Sequence, residues 1–219
     1  MVLFCHPESG ASTAKHKGLG KQFGITALPG LAFFTAEAEL IVQIPASPHS
    51  VAQFEQYRRR AQQMLLLRTG AAKGEPRAAA QWLIAQLEER QVDLVAGQKR
   101  RALLAEENDT ERARLDELLL NLQIGAEILA VHGSPEQRRV LGARYLDMLG
   151  KGMRPSPEVT RGFWFVILEH CEAAADVRGF TIGLEGLRRE VERSAAGAEW
   201  GEKLVRSFEQ KLEKLKAGK

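Results

Sequence analysis

The feature that most constrains the fold of this chain is a change of hydrophobic period near residue 50. Before it, short apolar runs at residues 31–34 and 40–44 are separated by a few polar residues, which is the spacing of a β-hairpin. From Ser50 onward apolar residues recur every three or four positions, as they do along the buried face of an α-helix. The pattern predicts a mostly α protein with a small α/β module, divided into residues 1–70 and 71–219.

Apolar stripes and helix start signals divide the region after residue 50 into about eight helices. Five of these helices have a start signal, which is a residue that caps a helix N-terminus or a proline that fits the first turn. The signals occur at Ser50, Pro76, Asp109 or Thr110, Ser134 and Ser156. Short loops make successive helices antiparallel. The sequence therefore predicts a stack of antiparallel helical hairpins, loosely like a tetratricopeptide array but without its consensus, or an irregular helical bundle.

Composition excludes several classes of function. The 219 residues carry 31 Lys and Arg against 28 Asp and Glu, and the basic runs at 58–60 and 99–101 spread around a helix instead of forming the basic stripe of a nucleic-acid-binding surface. No apolar run approaches the ~20 residues of a membrane-spanning helix. The two cysteines, Cys5 and Cys171, lie too far apart for a zinc finger or a disulfide-stapled fold. We expect no nucleic acid, membrane or cofactor as partner and, without an export signal, a cytoplasmic location.

The segment 21–34, Lys-Gln-Phe-Gly-Ile-Thr-Ala-Leu-Pro-Gly-Leu-Ala-Phe-Phe, resembles the second half of a thioredoxin-like domain. In that family a helix ends in a pattern of the type Lys-Phe-Gly-Val, and a proline, an apolar strand, a second antiparallel strand and a final helix follow. Residues 1–5 match the strand before that helix, residues 40–44 the second strand and residues 50–67 the final helix. The resemblance implies a partial thioredoxin-like module in front of the helical region.

The proline of this segment is where the resemblance implies a binding site. In the family the peptide bond before it is cis, a form essentially restricted to X-Pro bonds, so the Leu28–Pro29 bond is expected to be cis. That geometry presents the backbone of Leu28 to an extended peptide, which pairs with it as an added strand. Leu28 and Pro29 are thus the implied peptide-binding residues. The alternative is that Pro29 only begins a strand, as proline often does.

The family's catalytic motif is missing. Its reactive Cys-x-x-Cys lies in the first half of the domain, and no Cys-x-x-Cys occurs in this chain. A chain that begins within a strand also leads us to expect that upstream sequence is missing. We expect a non-catalytic interaction protein that binds protein or peptide segments. The alternative is a thiol-disulfide oxidoreductase or redox chaperone whose Cys-x-x-Cys half is missing.

Other candidate sites have simpler structural explanations. Cys5 and His6 are adjacent on a strand and point to opposite faces, so Cys5 is interpreted as a small buried hydrophobe rather than a nucleophile. Cys171 shares a helical stripe with Phe163 and is interpreted as core. The five histidines are scattered, and the glutamates of residues 106–117 alternate with arginines, which is typical of a solvated helix face. We expect neither catalytic nor metal-binding residues.

The incomplete sheet raises one further expectation. In a complete thioredoxin-like domain another strand separates those that residues 1–5 and 31–34 resemble, and this chain has no segment to supply it. An empty slot would leave backbone groups unpaired at ~1–3 kcal/mol each. The first strand could pair directly with residues 31–34, detach, or give way to a strand from another chain. We expect a weakened first strand and self-association through its apolar edge, which no charged residue protects.

Overall fold

A computed structural model of the chain describes residues 2–5, 30–37, 39–44, 50–153, 155–156, 161–193 and 198–218. Over these residues the protein is mostly α-helical with one small antiparallel sheet, as the change of period predicts. The strands are β1 (Val2–Cys5), β2 (Gly30–Phe34) and β3 (Leu40–Ile44). The eight helices of the described ranges are α1 (Val51–Ala72), α2 (Pro76–Glu88), α3 (Leu94–Arg101), α4 (Asp109–Ala130), α5 (Pro135–Gly150), α6 (Arg161–Ala173), α7 (Val177–Arg193) and α8 (Ala198–Lys216).

The sheet has the strand order β1-β2-β3 with both pairs antiparallel. The predicted hairpin of β2 and β3 is confirmed, and the Thr35 hydroxyl in its turn accepts the backbone N–H groups of Glu37 and Glu39. β1 pairs directly with β2, so that Val2 lies opposite Phe33. This is the first of the three outcomes, direct pairing of the first strand. The expected weakness of this strand and its self-association stay predictions. Because β1 itself takes the neighbouring position, β2 faces no empty slot.

Helix starts follow the predicted local chemistry. The Ser50 hydroxyl accepts the Gln53 N–H at 3.2 Å, and the Gln53 side chain accepts the Ser50 N–H at 2.9 Å, which completes a capping box. Ser134 likewise accepts the Gln137 N–H at 3.3 Å. α2 and α5 each begin with the predicted proline. These signals are local, and the structure confirms them.

The start of α4 differs from the sequence-based expectation. Asn108, rather than Asp109 or Thr110, is the capping residue: its side chain accepts the Glu111 N–H at 2.8 Å, and Glu111 accepts the Asn108 N–H at 3.1 Å. Glu111 also accepts a hydrogen bond from Gln81 of α2 at 3.0 Å and is only 6% exposed. The interpretation of this carboxylate as part of a solvated face was therefore wrong, because the cap and the glutamine satisfy it inside the protein.

Ser156, a predicted helix start, makes its described hydrogen bonds to Asn121. It is buried, its N–H donates to the Asn121 side-chain oxygen at 3.2 Å, and its hydroxyl accepts a hydrogen bond from the Asn121 amide. Residues 157–160 of the expected helix start lie outside the described residues, and α6 is described from Arg161. The Asn121 side chain thus satisfies a buried serine in the connection that leads to α6.

The chain forms two compact units that divide between Leu115 and Asp116, within α4. In the first unit α1 packs on β3, and α2 packs on α1. Its buried apolar cluster joins all of these elements: Phe33, Ile41, Val42, Ile44, Ala61, Met64 and Ala85. The helix α2, which follows the expected boundary near residue 70, shares this core with the sheet through Ala85.

In the second unit, α5, α6, α7 and α8 pack in chain order. Where α5 contacts α6 and α6 contacts α7, residues early in one helix meet residues late in the other, as expected for antiparallel neighbours. The core is built from fully buried side chains of these helices, including Phe163, Ile167, Cys171, Phe180 and Leu187. α8 ends with the predicted lysines, Lys214 and Lys216, in its last turn, where cations interact favourably with the helix dipole. The arrangement is a row of antiparallel helical hairpins.

The basic runs spread around their helices, as predicted. Arg58 pairs with an acidic residue of its own helix at 2.8 Å, whereas Arg60 reaches Glu88 of α2 at 2.6 Å. On α3, Arg100 donates to the side chain of Gln86 at 2.6 Å. None of the helices in the described ranges combines the length and apolar character that crossing a membrane requires.

Candidate functional site

A groove of about 770 Å³ lies on the second unit, lined by residues of α5, α6 and α7. We call it the α5–α7 groove. Its apolar surface consists of Leu146 and Leu149 from α5, Trp164 from α6 and Ile182 from α7. Ile182 is 38% exposed, and Leu146 and Trp164 are half-buried. These side chains are partly packed within the fold, and a ligand can cover the apolar surface that they still expose.

Glycine in α7 allows Trp164 to take its place in this groove. A Cβ atom added at Gly186 would lie 2.4 Å from two atoms of the six-membered ring of Trp164. Contacts that short do not occur between real atoms, so the indole occupies the space that any other side chain at this position would need. Gly186 thus lets α7 approach α6 closely and fixes the position of the indole.

The turn between α6 and α7 forms the polar end of the groove. Ala175 adopts a left-handed backbone conformation with φ of 52°, and the Asp176 N–H donates to the Cys171 carbonyl at 2.9 Å. This pattern is a Schellman-type helix ending. The Asp176 carboxylate then accepts the Gly179 N–H at 3.0 Å and caps α7. Asp176 is therefore engaged within the fold, and Arg178 lies in the first turn of α7.

The charged residues of the groove differ in how well they are paired. Glu185 and Arg189 are one turn apart on α7, with a nitrogen–oxygen distance of 3.6 Å, and both side chains are more than half exposed. Such pairs contribute little to stability because water screens them. Arg178 is exposed and has no hydrogen-bond or ion-pair partner among the described residues. The groove thus combines an apolar surface with one available guanidinium.

The α5 wall of the groove is held by a buried tyrosine. Tyr145 donates its hydroxyl hydrogen to Glu127 of α4 at 2.8 Å, and its ring stacks on Phe163 of α6 with centroids 4.8 Å apart. Burial, followed by the nearby Glu127 carboxylate, raises the pKa of the phenol. Tyr145 therefore stays protonated and remains a donor. The same carboxylate accepts a hydrogen bond from Arg144, so α5 is tied to α4 by two adjacent residues.

A second groove of about 710 Å³, lined by residues of α7 and α8, is a weaker candidate. Its apolar surface comes from Leu184 and Leu212, which are 3% and 8% exposed and already belong to the core. Arg188 of α7 and Glu209 of α8 pair at 2.7 Å. The aliphatic surface is thus mostly used by the fold, and this arginine is already paired. The α5–α7 groove, by contrast, has an aliphatic residue that is 38% exposed, Ile182, and an unpaired arginine, Arg178.

The residues implied by the resemblance cannot be placed. Leu28, Pro29 and His6 lie outside the described residues, and for Cys5 only the backbone of β1 is described. The structure therefore neither assembles nor separates the implied peptide-binding and Cys-His pairs. The α5–α7 groove contains none of these residues.

Cys171 is a core residue, as predicted. Its side chain is completely buried and forms no disulfide. Burial, with a smaller contribution from the Asp176 carboxylate, raises the pKa of the thiol to about 11. Because the thiolate is the reactive form, a thiol that is protonated at neutral pH and closed to solvent is a poor nucleophile. Cys171 fills space beside Gly179 in the core of the second unit.

Within the described ranges, no three His, Cys, Asp or Glu side chains come together as a metal-binding group. The glutamates that lie close together in the sequence, Glu107 and Glu111, have separate roles in the structure. Glu107 pairs with Arg112 at 3.1 Å, and Glu111 completes the cap of α4. Their geometry is that of ion pairs and caps that hold helices together.

Comparison with known proteins adds no family assignment. No protein-family model matches the chain, no curated protein matches it, and no solved structure matches it. The chemistry of the groove is therefore the basis for assigning a function.

The α5–α7 groove was not predicted from the sequence. The buried stripe of α7 runs through Phe180, Leu184, Leu187 and Val191. Ile182 is an apolar residue off this stripe, on a second face that it shares with Arg178 and Arg189. A single aliphatic residue on a charged helix face is common on protein surfaces and does not by itself indicate a binding site. Placing Trp164 beside it required the helix packing, which spacing alone does not give.

Proposed function

We propose that this protein is a non-catalytic interaction protein that binds peptide segments, with the α5–α7 groove as the binding site. The observation that carries the proposal is the combination, in one groove, of apolar surface from Trp164 and Ile182 with the unpaired guanidinium of Arg178. Ligand sites are typically concave and mostly apolar, with a few polar groups that fix the ligand's orientation. The α5–α7 groove has this composition.

The energetics favour a side chain of the ligand as the main contact. A half-buried tryptophan that its own helix pair holds in place loses little conformational freedom on binding, and tryptophan is enriched among the residues that dominate binding energy. Ile182 adds apolar area beside it, from which a bound side chain would displace water. Successive packing of hairpins also gives an extended surface, as in other helical arrays.

The thioredoxin-like resemblance provides a separate proposal for the N-terminal region. There, an extended peptide would pair with the backbone at Leu28 and Pro29 as an added strand. The support for that site is the sequence pattern around Pro29, and the groove proposal does not depend on it. The oxidoreductase alternative receives no support from Cys171, whose buried thiol has its pKa raised to about 11.

The proposal is tested by panning a phage-displayed library of random short peptides against the full chain. Enriched peptides are then synthesised with a fluorescein label, and their affinity is measured by fluorescence anisotropy. The decisive variant is Ile182→Asn, which replaces the exposed aliphatic residue of the groove by a polar one. Its matched control is Val140→Asn, because Val140 is also a β-branched helical residue, is 69% exposed and is not among the groove residues.

We expect enriched peptides to bind the wild-type protein and Val140→Asn equally. Ile182→Asn should weaken binding about tenfold, which corresponds to the loss of one apolar contact of ~1–2 kcal/mol. Circular dichroism of both variants establishes that the helices are retained. Peptides whose affinity is the same for Ile182→Asn and wild type, or a library without enrichment, would show that the groove is not a peptide-binding site.

A further inference from the structure

We infer that the segment bound in the α5–α7 groove carries a carboxylate next to a bulky aliphatic side chain, and that this carboxylate pairs with Arg178. The inference rests on the proposed function and specifies the chemistry of its ligand. It follows from which of the four charged residues that line the groove already have a partner and which one does not.

Three of the four charges are already engaged. Asp176 accepts the Gly179 N–H at 3.0 Å and caps α7, and Glu185 pairs with Arg189 at 3.6 Å. Arg178 is exposed, lines the groove and has no partner among the described residues. A ligand that offers a positive charge would find both carboxylates in use, whereas a ligand carboxylate finds a free guanidinium. A guanidinium can donate two parallel hydrogen bonds to a carboxylate, a geometry that a backbone carbonyl cannot reproduce.

The spacing along α7 places the acidic and apolar groups of the ligand next to each other. Arg178 and Ile182 are four residues apart, so they lie on one face of the helix about 6 Å apart along its axis. In an extended bound segment, the side chains that share a face belong to residues two positions apart and lie about 6.6 Å from each other. The carboxylate and the aliphatic side chain of the ligand therefore belong to residues two positions apart.

The charges at the other end of the groove do not favour a second charged group. Glu185 and Arg189 lie beyond Ile182 and pair with each other at 3.6 Å, so a charged residue of the ligand placed there meets both signs of charge. The geometry selects one acidic residue, on the Arg178 side of the aliphatic anchor.

The test uses three fluorescein-labelled synthetic peptide pools that differ at one position. Each pool has a fixed pair of leucines in a randomised short peptide, followed by Glu, Gln or Lys. Binding is measured by fluorescence anisotropy to the full chain as wild type, Arg178→Glu, Arg139→Glu and Ile182→Asn. Arg139 on α5 is the matched control, because it is also exposed, is not among the groove residues, has no partner in the described part of the chain and changes the net charge equally on reversal.

We expect the Glu pool to bind wild type about fivefold more tightly than the Gln pool, with the Lys pool weakest, and this difference should shrink as salt is added. Arg178→Glu should reverse the order of the Glu and Lys pools, whereas Arg139→Glu should leave it unchanged. An order that is the same in wild type and Arg178→Glu overturns the inference, even if Ile182→Asn abolishes binding of every pool and the proposed function stands. Pools that bind Ile182→Asn as well as wild type would instead contradict the proposed function itself.

Discussion

The side-chain amide of Gln91 donates a hydrogen bond to the backbone carbonyl of Ile41 in β3. Ile41 is the residue that has no partner in the pairing of β2 with β3, because Phe33 pairs with Val42 and Phe34 pairs with Leu40. Such a bulge leaves a residue outside the ladder of backbone hydrogen bonds. Gln91, in the connection between α2 and α3, therefore supplies the hydrogen bond to this residue from outside the sheet.

The first prediction is that Gln91→Ala lowers the free energy of unfolding of the first unit by about 1–2 kcal/mol, since it leaves the Ile41 carbonyl unsatisfied beside a buried side chain. Native-state hydrogen exchange of the amides in β2 and β3 measures the effect. Gln98→Ala is the control, because Gln98 is an exposed helical residue. Equal exchange in the two variants would show that this hydrogen bond does not stabilise the sheet.

Gln91 also illustrates what could be predicted from the sequence. Helix starts such as Ser50 and Ser134 were predictable because a cap involves residues only three positions apart. The pairing of β1 with β2 was not, because it joins residues about 30 positions apart and the resemblance placed another strand between them. The partner of Gln91 and the groove at Trp164 depend on which elements meet, and periodicity identifies buried faces without identifying their partners.

The closest approach of α5 to α6 predicts opposite effects for two glycine substitutions. A Cβ at Gly142 would lie 1.9 Å from the Val166 carbonyl oxygen, whereas a Cβ at Gly125 on α4 would meet nothing within 4 Å. Gly142→Ala must push two helix backbones apart and should lower the free energy of unfolding by about 3 kcal/mol. Gly125→Ala should raise it by up to about 1 kcal/mol, because alanine favours the helix. Urea denaturation followed by circular dichroism compares them, and a mild effect at Gly142 would contradict the close packing.

A third prediction concerns the turn that positions Asp176. Ala175 has a φ of 52°, a conformation that costs an L-residue about 1–2 kcal/mol and glycine very little. Ala175→Gly should therefore raise the free energy of unfolding by about 0.5–1 kcal/mol, after the greater freedom of glycine in the unfolded chain is subtracted. Ala126→Gly, at an exposed helical position of α4, should lower it by about 1 kcal/mol. Stability lost in both variants to the same extent would indicate that Ala175 carries no strain.

The last prediction is a loss of stability at alkaline pH that depends on Cys171. Burial raises the pKa of its thiol to about 11, above the ordinary value of the thiol in an unfolded chain. Below the unfolded-state pKa both states hold the proton, so the contribution of the buried neutral thiol is fully present. As the pH rises from about 9 to about 11, the unfolded chain releases its proton while the folded protein keeps it, and stability falls.

Each unit of difference in pKa corresponds to ~1.4 kcal/mol. Between about pH 8 and about pH 11 the wild-type protein should lose about 2 kcal/mol more than Cys171→Ala, since other alkaline titrations are common to both. Urea denaturation of the two proteins across this pH range measures the difference. The cavity in Cys171→Ala lowers its stability by an amount that does not depend on pH, so the test compares the slopes of the two curves. Parallel curves would show that the thiol titrates alike in the folded and unfolded states.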